Sequence, residues 1–145
     1  MELIVLRRRR HPVVDARACR RLVRHLAERM ERGPAACAIL LCDDREIETL
    51  NRRFLHRPQP TDVLAFPAGE PAGGHLGDIA ISLETAARQA TRHGRTLQGE
   101  VHALIVHGFL HLLGYDHETD GGEMRRTERA LLREWAARRR PRGRR

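Results

Sequence analysis

Apolar positions in this chain follow two periods, and the places where one gives way to the other divide it into short elements. Glu2 to Leu6 reads as a strand, after which Val14, Ala18, Leu22, Leu26 and Met30 recur at helical spacing through about Glu31, with Asp15 placed to cap the start. Gly33-Pro34 stops that helix. Ala36 to Cys42, ACAILLC, is apolar throughout between Gly-Pro and Asp-Asp, as a buried strand is. Asp43 or Asp44 then caps a second helix with Ile47, Leu50 and Phe54 on one side. Pro60 to Pro67 predicts a proline-bracketed strand, Ala68 to Gly77 a glycine-rich surface loop, and Gly77 to Leu83 an alternating strand. Helices follow from about Glu84 to His93, where Gly94 breaks the run, from about Thr96 to Leu113, and around Met124, Leu131, Leu132 and Trp135. Four strands and five helices, with two strands joined without a helix between them, predict an α+β domain built on one small mixed sheet.

At 145 residues the chain suits one domain, residues 1–137, followed by a basic, disordered tail from Arg138 to Arg145. No apolar run approaches the roughly 20 residues that cross a bilayer. MELIVLRRRR has its apolar residues ahead of its charges, the reverse of a secretory signal, so the cytoplasm is the expected compartment. Cys19, Cys37 and Cys42 contain no CxxC pair and read as buried, reduced thiols. All 27 basic residues are arginine, a bias that G+C-rich codon usage explains; their position says more. Arg7 to Arg10 supply four and the tail from Arg138 supplies six, and without those ten the remaining 17 arginines face 19 acidic residues. The formal charge of +8 therefore sits in two arms, each either a solvated segment or a polyanion-binding one.

The chemistry gathers in HGFLHLLGYDH, residues 107 to 117. On a helix each residue advances about 100°, so His107 and His111 share a face one turn apart and can meet one ion. Gly114 is placed to end the helix in a left-handed conformation, after which the chain can bring His117 back to the same point. Three imidazoles suit Zn²⁺ and leave a fourth position open, as catalytic sites do. The same spacing occurs in metzincin proteases, which carry a glutamate base directly after the first histidine; here that residue is Gly108, which disfavours peptide hydrolysis. His11, His25, His56, His75, His93 and His102 read as ordinary core or surface residues.

HGFLHLLGYDH matches the pattern HGxLHLxGYDH, TDVLAFP at 61–67 matches PTDVLSFP with Ala65 for serine, and Leu50-Asn51, Gly77-Asp78-Ile79 and Met124 match further elements in order. On these residues the chain resembles, over most of its length, the YbeY family of metal-dependent bacterial endoribonucleases of ribosomal RNA maturation and ribosome quality control. The resemblance implies a zincin-like fold, one Zn²⁺ held by His107, His111 and His117, RNA as substrate and the small ribosomal subunit as partner. In LNRRFLHRPQPTDV many family members carry an arginine implicated in activity just after the aromatic, and this chain has Leu55. Arg52, Arg53 and Arg57 stand nearby as substitutes, with Arg53 and Arg57 the candidates to neutralise a scissile phosphate. Asp116, Glu100 and Glu118 are candidates to orient a ligating imidazole or assist proton transfer, and Asp62 and Asp78 read as network or capping carboxylates. Two functions follow: a zinc-dependent endoribonuclease hydrolysing single-stranded RNA at the 3′ end of the small-subunit ribosomal RNA, or a ribosome-associated assembly factor whose metal mainly holds the fold.

Overall fold

The structure, a computed structural model, describes residues 2–7, 14–32, 36–55, 61–68, 74–116 and 118–139, with only the backbone course of 2–7 and 139. Its elements are β1 (Glu2–Arg7), α1 (Ala16–Arg29), β2 (Ala36–Cys42), α2 (Asp44–Leu55), β3 (Val63–Pro67), β4 (His75–Ser82), α3 (Leu83–His93), α4 (Leu97–Leu112) and α5 (Glu123–Arg139). They form an α+β fold around a small mixed sheet of order β1-β2-β4-β3. β2 runs parallel to β1 and to β4, and β3 is antiparallel to β4 at the sheet's edge. Strands β2, β4 and β3 carry the sheet's described side chains, and β1 joins them by backbone pairing along β2. No helix among the described residues is long and apolar enough to cross a membrane.

The apolar run of β2 is explained by its two covered faces. Cys37, Ile39 and Leu41 enter the larger core with Leu22 and Leu26 of α1 and Ile105 and Phe109 of α4, whereas Leu40 and Cys42 meet Ile47 of α2 on the other side. β4 alternates likewise, with Ile79 and Ile81 in the larger core and Ala80 in the smaller. All three cysteines are buried, and burial, with the charge of Asp78 adding to it, pushes the Cys37 thiol up to about 12.

The local stops and starts follow side-chain chemistry. Asp15 accepts from the N–H groups of Arg17 and Ala18 at the head of α1, and Asp43 accepts from that of Glu46 at the head of α2. Asp44 instead ties α2 to α3, accepting from Ser82 Oγ, Thr85 Oγ1 and Arg88 Nη2 at 2.5, 2.6 and 2.8 Å. α3 starts at Leu83 behind the N-cap Ser82, and α5 runs to Arg139, two residues into the basic run.

Two sequence expectations change. β4 begins at His75, inside the span expected to be loop, because β2 pairs with it from Ala36 and β3 pairs back to Gly77 through Pro67. The sequence of α4 sets Val101, Leu104, Ile105 and Leu112 on one face, yet Val106, Phe109 and Leu110 are buried as fully as Val101 and Ile105. It is wrapped by α1, α3, α5, β3 and β4, so nearly every side meets protein.

Candidate metal centre

α4 ends where its glycine permits. Gly114 takes φ of 97°, its N–H reaches the His111 carbonyl at 3.0 Å, and Tyr115 N–H reaches the Leu110 carbonyl at 3.1 Å, turning the chain back at the helix end. The last two turns of α4 carry His107 and His111. Their Nε2 atoms face each other at 3.2 Å, with ring centroids 4.7 Å apart.

The carboxylate that orients this pair comes from α5. His107 Nδ1 donates to Glu128 Oε1 at 2.5 Å, which leaves the Nε2 lone pair of the neutral ring facing His111. The hydrogen bond to Glu128 raises the His107 pKa above its ordinary value; burial opposes this, and the charges of Glu128 and Asp62 add to it. Sequence reasoning placed this role on nearer carboxylates. Glu128 was nevertheless detectable, because it shares a helix face with the buried Met124, Leu131 and Trp135 at spacings of four, three and four.

The two histidines open onto a cleft of about 520 Å³. One wall is β3 with the preceding Thr61 and Asp62; the other is the end of α4 with Gly108, Gly114, Tyr115, Asp116 and Glu118. Asp116 Oδ1 accepts from Glu118 N–H at 3.0 Å, so its carboxylate braces the turn after Gly114. Glu100 is buried away from the cleft lining and meets His93 Nδ1 and Arg95 Nη1 at 3.2 and 3.3 Å. Asp62 accepts from Gln89 Nε2 at 3.2 Å, and the exposed Asp78 lies 3.2 Å from His75 Nε2. Leu55, which stands where the family arginine is expected, lines the cleft. Arg53 does not; its guanidinium lies over the Phe54 ring at 5.8 Å, while Arg52 pairs with Glu48 at 2.8 Å. Arg57 and His117 lie outside the described residues, and the chain neighbours of His117, Asp116 and Glu118, both line the cleft.

Gly108 has a packing role as well as a chemical one. A Cβ there would sit 3.0 Å from Ile79 Cγ2, so α4 approaches β4 at a distance that only glycine allows without displacement of Ile79.

The donor set fits a metal. Two ligands on one tetrahedral zinc, each at about 2.1 Å, stand about 3.4 Å apart, close to the observed Nε2 separation. A carboxylate on the far nitrogen of a ligating imidazole is the usual outer partner. Among the described residues no three side chains of ligating type close on one point, so His107 and His111 form the described part of such a site.

The family model for endoribonuclease YbeY matches residues 7–136. A protein of Anaeromyxobacter dehalogenans named endoribonuclease YbeY is 48% identical over 125 residues, 81% of this chain and 65% of that one. One of Aquifex aeolicus with the same name is 52% identical over 88 residues, 59% of each chain. One of a Sulfurovum species, also so named, is 39% identical over 128 residues, 84% of this chain and 83% of that one. The chain thus spans less than two thirds of the length of the first two relatives. The solution structure of a Thermotoga maritima protein matches with a TM-score of 0.64 at 26% identity, covering 99% of this chain and 100% of that one. With the histidine pair at the end of its central helix and a family match over nearly its whole length, this chain belongs to the endoribonuclease YbeY family.

Proposed function

We propose that this chain is a zinc-dependent endoribonuclease that hydrolyses single-stranded RNA, acting in the cytoplasm on the 3′ end of the small-subunit ribosomal RNA and in ribosome quality control. The observation that carries it is the convergence of two imidazole Nε2 atoms in an open cleft, one held by a carboxylate, in a chain of this family. The packing of α4 beside the antiparallel edge strand β3 supports a zincin-like reading of the fold.

In this reading His107, His111 and His117 hold one Zn²⁺, which supplies Lewis acidity toward the scissile phosphate and an activated nucleophile. Glu128 keeps the His107 proton on Nδ1 and so keeps the Nε2 lone pair on the metal side. β3 walls the cleft and positions the strand to be cut. Asp116, at the rim, takes the proton-transfer role, and Arg53 or Arg57 neutralises phosphate charge. Asp62, Asp116 and Glu118 make the described lining acidic, and no arginine belongs to it, so phosphate charge is met by the metal together with whichever of Arg53 and Arg57 turns toward the cleft. Chelation and His111→Ala are each expected to reduce cleavage of a labelled single-stranded RNA to the level of buffer alone. Full cleavage after both treatments would refute the proposal.

Leu55 favours a second reading, because an apolar side chain lines the cleft where the family arginine is expected. An assembly factor with a structural metal would restore ribosome maturation in cells while its purified, metal-loaded form left RNA intact.

A further inference from the structure

We infer that the concavity between α1 and α5 binds backbone phosphates of single-stranded RNA, at a place separate from the histidine cleft. It encloses about 500 Å³ and is lined by Arg21, Arg24, His25, Glu28, Trp135 and Arg138, none of which lines the cleft. The identity of the polyanion rests on the ribonuclease reading; the site itself rests on the following geometry.

The described lining of the cleft has three carboxylates and no arginine, so those residues offer a nucleic acid no positive charge. The concavity has the opposite balance, three guanidiniums against Glu28. Arg21 and Arg24 are exposed neighbours on α1, with Cβ atoms about 5–6 Å apart at this spacing. Among the described residues neither forms an ion pair, unlike Arg29, which holds Glu134 at 3.0 Å, and Arg88, which holds Asp44. Their forks are therefore available for the two parallel hydrogen bonds that guanidinium gives to phosphate.

The floor is also unsatisfied. Arg138 Nη1 donates to His25 Nδ1 at 2.8 Å, which places the proton of the neutral ring on Nε2. Among the described residues that Nε2 is buried without a hydrogen-bond partner, with the Glu134 carboxylate at 3.6 Å. The His25 side chain is only 10% exposed, and it lines the concavity beside the three arginines. Arg138 is followed in sequence by five more arginines.

The test is anisotropy of a fluorescein-labelled single-stranded RNA across a potassium chloride series, with Arg21→Ala/Arg24→Ala compared with a charge-matched Arg45→Ala/Arg92→Ala on other helices. Loss of two phosphate contacts should flatten the slope of log affinity against log salt by about 1.4, roughly 0.7 for each arginine. The control pair should stay near the wild-type slope. Equal slopes for the two double variants would overturn the site while leaving the cleavage reading intact. RNA displaced as readily by poly-glutamate of equal charge as by unlabelled RNA would assign the concavity to acidic protein and overturn it too. A wild-type chain that neither bound nor cleaved RNA would end both proposals, whereas His111→Ala, expected to abolish cleavage, should retain the wild-type slope.

Discussion

Glu128 holds the proton of His107 on Nδ1, and the same contact favours the doubly protonated ring. Because the folded pKa lies above the ordinary 6.5, this pair stabilises the metal-free fold fully below that value and loses its contribution as pH rises through the raised one. Protons also compete with a metal for Nε2 further up the pH scale than at an ordinary histidine. Glu128→Gln should weaken zinc binding about 10- to 100-fold in competition with a chromophoric chelator, and should remove this pH-dependent part of the melting temperature of the stripped protein. Unchanged zinc affinity would show that Glu128 does not orient His107. Leu55 offers a gain-of-function test at the same scale. It is 43% exposed and lines the cleft, so Leu55→Arg should leave stability within about 0.5 kcal/mol and raise the cleavage rate about 10-fold or more by adding a cation near the phosphate. A rate at or below that of the parent would remove the cleft position from the arginine's role.

The approach of α4 to the sheet depends on two glycines. Gly77 takes φ of 142°, and a Cβ there would lie 2.3 Å from the Phe66 carbonyl and 2.8 Å from Leu112 Cδ2, so β3, β4 and the end of α4 meet at a point with no room for a side chain. Gly108 performs the same service one layer along, against Ile79. Restoring the protease glutamate as Gly108→Glu should cost about 3 kcal/mol or more, from overpacking and a buried carboxylate, and should yield no peptidase activity; chemical denaturation and a denatured-protein digest check the two halves. The helix and its stop were legible beforehand, because the His107–His111 spacing and Gly114 act within a few residues of each other. Glu128 was not singled out, since its place beside His107 depends on how α5 packs across 21 residues of chain. β4 was read two residues short for the related reason that glycines signal loop locally, while the ladders to β2 and β3 are set from afar.

Across the whole molecule, charge and fold are organised separately. The net positive charge comes from two basic runs, and the domain between them is close to neutral. Deleting residues 140–145, which removes four arginines, should leave the melting temperature near that of the parent while flattening the salt dependence of RNA binding by up to about 2.8; an unchanged slope would identify the run as a solvated appendage. The continuous apolar run of β2 and the alternation of β4 were readable as strands, but their parallel pairing, and with it the sheet order, joins segments separated by a helix and a hairpin strand and has no local signature. The packing of α1 against α5 has one further use. Trp135, the chain's single tryptophan, donates its indole N–H to His102 Nδ1 and lies 5.6 Å from the His25 ring on the wall of the basic concavity. Its fluorescence is therefore an intrinsic optical reporter: an anion drawn to the arginines of that concavity changes the quenching of one chromophore, and unfolding shifts the emission of the same chromophore to the red, so occupancy and integrity are both read without a label.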